Sequence, residues 1–221
     1  MTLPCTAVLF DFDGVIVESN AIKLTAFLAL YSGSGRDVEH AIADFYHRNG
    51  GLPRERMLHH FDQVLLGRPR DDARVREMAL RVGAMVEDAV SACPEVPGAL
   101  SFIRRHSAAR PLFIASGTPE PELRRIVDRR GWSPLFAEVA GSPRHKTDVV
   151  ADLIARHRLE ASRSVFVGDA LTDLEAAEAN GLAFIGIVRP GAENVFPPGT
   201  RIEPDLAALD TAIMDAVGFS N

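Results

Sequence analysis

Four apolar residues, Ala7-Val8-Leu9-Phe10, cut off by Asp11-Phe12-Asp13-Gly14, leave this chain few folds to choose from. A run this short and uniformly apolar reads as a strand buried on both faces, the kind found in parallel sheets covered by helices. Open sheets of that type build their sites at the carboxyl ends of their strands, so two acids are placed where loss of water is costly. Gly14 marks a sharp turn or a close approach. Such a pair of carboxylates calls for a cation.

The stretch that follows has no strand-type alternation between Ser19 and Ser91. Helical spacing recurs instead: Ala21 to Tyr31, a second helix capped by Asp37 and running to Arg48, a third from Leu52 to Leu66, and a fourth from Asp72 to Val90. Gly33, Gly35, Gly50, Gly51 and Pro69 punctuate them. Residues 19–91 therefore read as an all-helical unit inserted after the first strand. From Gly98 onward strands alternate with helices, the pattern of a parallel sheet. The expected strands are Pro111 to Ala115, Phe136 to Ala140, Ser164 to Val167 and Ala183 to Val188, with a closing helix from Asp205 to Val217. Residues 1–18 and 92–221 thus form an α/β sheet core around the insertion.

Composition narrows the partners. The 30 acidic and 24 basic side chains leave a net charge of −6 with no basic block, which argues against nucleic acid or an anionic membrane. No apolar stretch approaches the roughly 20 residues needed to span a bilayer. The amino terminus lacks a basic leader, and Cys5 and Cys93 lie in no metal spacing, so a reducing cytoplasm is the expected setting. A small anionic substrate and a metal fit this balance.

Parallel strands deliver their carboxyl ends to one edge, and there the polar residues gather. Asp11 and Asp13 end the first strand, Ser116 the second, Lys146 follows the third, and Asp169 and Asp173 follow the fourth. Carboxylate oxygens of this kind suit Mg²⁺, with waters and a substrate phosphate completing the shell. Asp173, at a helix start, suits either the metal or the backbone as a cap. Ser116 and the N–H groups of Gly117 and Thr118 form an anion cradle before a helix, and Lys146 adds a point charge. Together these groups suit phosphoryl transfer, with one carboxylate as nucleophile and the other as acid and base.

Four ordered motifs, Asp11-Phe12-Asp13-Gly14-Val15, Ser116-Gly117-Thr118, the run ending at Lys146, and Val167 to Asp173, resemble those of the haloacid dehalogenase-like superfamily. The likeness is greatest to its phosphoglycolate phosphatase and β-phosphoglucomutase branch. It implies a three-layer, Rossmann-like core with a helical cap, and a Mg²⁺-dependent phosphatase of a small phosphorylated metabolite. Carried over residue by residue, it implies that Asp11 attacks phosphorus and Asp13 serves as acid and then base. Ser116, Gly117, Thr118 and Lys146 would hold the phosphoryl group. Asp11, Asp169, Asp173 and the Asp13 backbone carbonyl would hold the metal. Dehalogenases of the superfamily lack the second aspartate, so Asp13 favours phosphate esters. Ala170 and Thr147 depart from common choices without removing a catalytic group.

Two rival readings stand beside this one: a phosphosugar mutase sharing the aspartyl-phosphate, and a metabolite-binding protein that has kept the fold without turnover. In the helical unit, His47, Arg48, Arg54 and Arg56 flank Gly50-Gly51; Arg54 is the candidate substrate contact, and a solvated basic turn is the competing reading. His59 and His60 read as ordinary helix residues and Trp132 as a core residue. A monomer or a homodimer is expected.

Overall fold

A computed structural model describes residues 4–217. Residues 1–3 and 218–221 of the expected core lie outside it. Six strands form one sheet: β1 (Ala7–Phe10), β2 (Leu112–Pro119), β3 (Glu138–Ser142), β4 (Ser164–Gly168), β5 (Ala183–Ile187) and β6 (Ile202–Glu203). Their order is β3-β2-β1-β4-β5-β6, and every neighbouring pair is parallel. The order reverses between β1 and β4, where an open sheet of this kind forms its crevice.

Alternation along each strand sends side chains to two helical layers. Val8, Phe10, Ile114, Val165 and Val167 pack with residues of α5 (Ala99–His106), α6 (Glu120–Arg129) and α9 (Leu209–Val217). Ala7, Leu9, Phe113, Ala115 and Phe166 pack with α7 (Lys146–His157) and α8 (Leu171–Ala179). The result is a three-layer α/β core. Between β1 and α5 the chain makes α1 (Asn20–Leu30), α2 (Arg36–Arg48), α3 (Arg54–His60) and α4 (Asp72–Ala92). These helices pack on one another through Phe27, Tyr31, Tyr46, Phe61, Met78 and Val82. No helix among the described residues is long and apolar enough to cross a membrane.

Several boundaries differ from expectation for identifiable reasons. Gly35, with φ 100°, precedes α2, and Asp37 sits inside its first turn, where an acid favours the helix dipole. The third helix ends as α-helix at His60 and continues as a π-helical turn, Phe61–Leu65. That turn carries the buried Asp62, which accepts from Tyr31, Arg68 and Arg74. Strand β2 runs on through Ser116-Gly117-Thr118 with an irregular register after Ala115, so these residues end a strand and only Pro119 separates them from α6. A 3-10 turn at Ser133–Leu135 delays β3 to Glu138. The Pro/Gly-rich loop contains the two-residue edge strand β6, and the last helix starts at Leu209. Trp132 is buried and Arg130 lies over its ring, so it packs as expected. His60 stacks on Phe45, and His59 faces Asp72.

Candidate active site

Asp11 leaves β1 at the sheet's carboxyl edge, tied to β4 by its own N–H to the Val167 carbonyl, 2.9 Å away. Its side chain is almost wholly buried. Lys146, the first residue of α7, reaches across from the far side of β2 and places Nζ 3.2 Å from Asp11 Oδ2 and 2.5 Å from Asp173 Oδ1. The other Asp173 oxygen accepts the N–H groups of Asp169 and Ala170, at 3.1 and 3.0 Å. Asp173 therefore caps the start of α8 and faces Lys146 at once. Oxygens of Asp11, Asp169 and Asp173 lie within 4.8 Å of one another.

Gly14 explains how Asp169 approaches so closely. Its φ is +76°, and a Cβ there would stand 2.1 Å from Asp169 Oδ2 and 2.4 Å from the Asn20 side-chain nitrogen. Asn20, the first residue of α1, donates to that same Asp169 oxygen at 2.7 Å. One glycine thus supplies both the left-handed turn and the space.

Asp13, two residues beyond Asp11, is held by a separate network. Ser19 donates to its Oδ1 at 2.5 Å, and Thr118 donates to its Oδ2 at 2.8 Å. Lys23 forms an ion pair with Oδ2 and also reaches the Thr118 hydroxyl at 2.5 Å. Ser116 Oγ accepts the Thr118 N–H at 3.1 Å and stands 3.4 Å from Asp13. The Asp13 carboxylate is thus committed to these donors and is not among the clustered metal-competent oxygens.

The electrostatics divide the two acids. Burial, against the pull of Lys146 and with the added repulsion of Asp173 and Asp13, pushes Asp11 up to about 7. Asp169 is likewise raised, by burial first and then by Asp11 and Asp173. Burial also opposes ionisation of Asp13, but the Lys23 charge and the bonds from Lys23, Ser19 and Thr118 prevail and hold it below the usual aspartate value. Burial disfavours the Lys146 charge, yet Asp11, Asp173 and Asp169 keep that ammonium firmly protonated. Three repelling acids with hard oxygen donors, brought together from the ends of β1 and β4 and the start of α8, suit a divalent cation such as Mg²⁺.

The inserted helices form the opposite wall. The Thr172 hydroxyl donates to the Gly50 carbonyl at 2.9 Å, and a Cβ on Gly117 would meet the Gly51 carbonyl oxygen at 2.3 Å. Between this wall and Asp11 lies a cavity of about 50 Å³, lined on the inserted side by Phe27, Tyr46, Leu52, Arg54, Met57 and Val82. Arg54 is buried, and its guanidinium grips Glu122 of α6 at 2.9 and 2.7 Å while also donating to the Ala79 carbonyl at 3.0 Å. Arg54, the expected substrate contact, borders the cavity and is also engaged with Glu122 across the two parts of the chain. His47, Arg48 and Arg56 are exposed.

The residues expected at the strand ends therefore meet at one edge, Asp11, Asp13, Ser116, Gly117, Thr118, Lys146, Asp169 and Asp173, while Arg54 lies on the opposite wall. Sequence reasoning missed Ser19, Asn20 and Lys23, which sit inside an apparently ordinary helix start. Ser19 and Lys23 are four residues apart and so share a face, a signal that carries weight only once Asp13 is known to lie beneath them. It also missed Glu122 and Tyr46. Gly83, alone in the middle of α4, was the available hint for the first: a Cβ there would come within 2.8 Å of both Arg54 Nη1 and Glu122 Oε2.

A family model described as a haloacid dehalogenase-like hydrolase matches residues 5–181. The chain belongs to this family. It is 26% identical over 184 residues to a phosphoglycolate phosphatase of Synechococcus elongatus, with 82% of each chain covered. Its fold is similar to that of a β-phosphoglucomutase from Clostridium difficile, with a TM-score of 0.78, 15% identity and 97% of each chain covered. It is also similar to CbbY from Rhodobacter sphaeroides, solved in complex with phosphate, with a TM-score of 0.71 and 20% identity over 96% of this chain and 99% of that one. At these identities the two structures speak for the fold of the hydrolase. The sheet with helices inserted after β1, expected from the motifs, is the fold of this family.

Proposed function

We propose that this hydrolase is a Mg²⁺-dependent phosphatase of a small phosphorylated metabolite, working through an aspartyl-phosphate on Asp11. One observation carries the reading: Lys146 holds Asp11 beside Asp169 and Asp173, while Asp13, two residues on, is bonded separately to Ser19, Lys23 and Thr118. Two neighbouring carboxylates are thus prepared for two roles. The Asp11, Asp169 and Asp173 oxygens, with the Asp13 backbone carbonyl, would hold the cation, which when bound neutralises charge on the acids and the phosphoryl oxygens.

In the first step an Asp11 oxygen attacks phosphorus and the bond to the leaving oxygen breaks, that oxygen taking a proton from Asp13. A phosphomonoester entering as its monoanion supplies the proton that Asp13 needs, since Lys23 otherwise keeps it ionised. In the second step Asp13, again a carboxylate, takes a proton from water, which attacks phosphorus and releases phosphate and Asp11. Lys146 keeps Asp11 oriented and its charge balanced through both steps. Ser116, Gly117 and Thr118 line the phosphoryl end. Residues 19–91 act as a cap that excludes bulk water while the acyl phosphate forms.

The test is hydrolysis of p-nitrophenyl phosphate with and without Mg²⁺. Turnover that needs Mg²⁺ and disappears in Asp11→Asn supports the reading, whereas activity surviving that substitution overturns it.

A further inference from the structure

Helix α1 opens on two side chains that are well suited to hold its own free N–H groups and are used elsewhere. Ser19 is its N-cap residue, yet that hydroxyl makes no bond to the helix start and donates to Asp13 instead. Asn20, the first helical residue, donates its side-chain amide to Asp169 Oδ2 at 2.7 Å. The first turn of the inserted part thus forgoes local capping and reaches for acids of the sheet edge.

The three clustered acids are not held alike. Asp11 accepts the Phe12 N–H at 2.7 Å and faces Lys146. Asp173 accepts two backbone N–H groups and also faces Lys146. The Asp169 carboxylate has one hydrogen-bond donor among the described residues, the Asn20 amide. Asp169 is half-buried, and with Asn20, Arg48 and Arg189 it lines a cleft of about 600 Å³, so it has room to turn. The like charges of Asp11 and Asp173 favour its turning away from them. Gly14 provides the space where the two side chains meet, since a Cβ there would overlap both Asp169 Oδ2 and the Asn20 nitrogen.

We propose that Asn20 is a positioning residue for the cation: its amide fixes one Asp169 oxygen and keeps that carboxylate turned toward Asp11 and Asp173. The inserted helices thereby complete a metal site whose ligands all belong to the sheet core. This rests on the cation of the proposed phosphatase and on nothing about its substrate. An outer partner of this kind contributes roughly 10- to 100-fold to metal affinity, because without it the entering cation must first recover the carboxylate from other orientations.

The experiment is calorimetric titration of Mg²⁺ into the wild type, Asn20→Leu, Asn20→Ala and Thr25→Ala, with kcat on p-nitrophenyl phosphate at saturating Mg²⁺ as the second readout. Leucine keeps the branched shape of asparagine without its donor, and alanine adds no bulk, so either tests the donor if the other disturbs the fold. Both should raise the Kd for Mg²⁺ roughly 10- to 100-fold, while kcat at saturation stays within about threefold of the wild type. Thr25→Ala, at an exposed position of the same helix, should leave both quantities within about threefold. A Kd that does not move in the folded Asn20 variants, a Kd that moves equally in Thr25→Ala, or a kcat that saturating Mg²⁺ does not restore overturns the assignment. A wild type that takes up no Mg²⁺ would refute the cation reading beneath it, and this assignment with it.

Discussion

Deleting either partner of the Arg54–Glu122 pair should cost far more than the pair contributes when intact. Both side chains are 7% exposed and meet through two parallel hydrogen bonds. Their attraction is about 4 kcal/mol at an effective dielectric of 20. Removing each charge from water costs several kcal/mol, so the intact pair is close to balanced. Glu122→Ala leaves the guanidinium under α4 with only the Ala79 carbonyl, and Arg54→Ala leaves a buried carboxylate with no cation. Each should lower the unfolding free energy by about 3–5 kcal/mol, whereas Arg54→Met with Glu122→Leu should restore stability to within about 1 kcal/mol of the wild type. Gly83→Ala adds a second check. Alanine normally stabilises a helix interior by roughly 1 kcal/mol, but here its Cβ would displace both charged ends from their bidentate geometry, so the variant should lose stability. Urea unfolding at fixed Mg²⁺ measures all four. A Glu122→Ala cost below about 1 kcal/mol, or a stabilising Gly83→Ala, would refute the reasoning.

At the site, Asp11→Asn should reduce Mg²⁺-dependent turnover by roughly 10⁴-fold while leaving the fold intact by circular dichroism. Lys23→Met removes the cation that holds Asp13 in place; kcat on an aryl phosphate should fall roughly 10- to 100-fold, and an unchanged kcat would remove Lys23 from the acid–base machinery. Mg²⁺ should raise the melting temperature of the wild type and have little effect on Asp169→Asn, read by differential scanning fluorimetry. On the surface, the Arg156 bonds, opposed by partial burial, hold Glu138 below the usual glutamate value. An acid with a depressed folded value contributes stability above its unfolded value and loses it as pH falls through the folded one. Glu138→Gln should therefore melt below the wild type at about pH 7, and the two should converge at about pH 3.

Much of the site was legible because the chemistry lies where local patterns end. Asp11, Asp169 and Lys146 each follow an apolar run or a turn, and the parallel arrangement of those runs is enough to bring them to one edge. The dual use of Asp173, as cap and as partner of Lys146, was not legible: both uses need the same carboxylate at the same helix start, and spacing leaves them open. Ser116 shows a different limit. Its place at the site was evident, but the irregular end of β2, which turns its oxygen toward the Thr118 N–H, depends on pairing with β3. The inserted helices were readable as helices from their 3.6-residue spacing, though the π-helical turn that buries Asp62 leaves no mark in that spacing.

By itself the sequence determined the order of the main elements, the acidic strand end and the family, because each is a property of neighbouring residues or of motifs read in order. Only the tertiary structure decided that Lys23 would secure Asp13, that Arg54 would be taken by Glu122, and that Tyr46 would line the cavity. Those outcomes depend on how the inserted helices seat against the sheet edge. That seating arises from many weak contacts between residues distant in the chain, which no local pattern encodes.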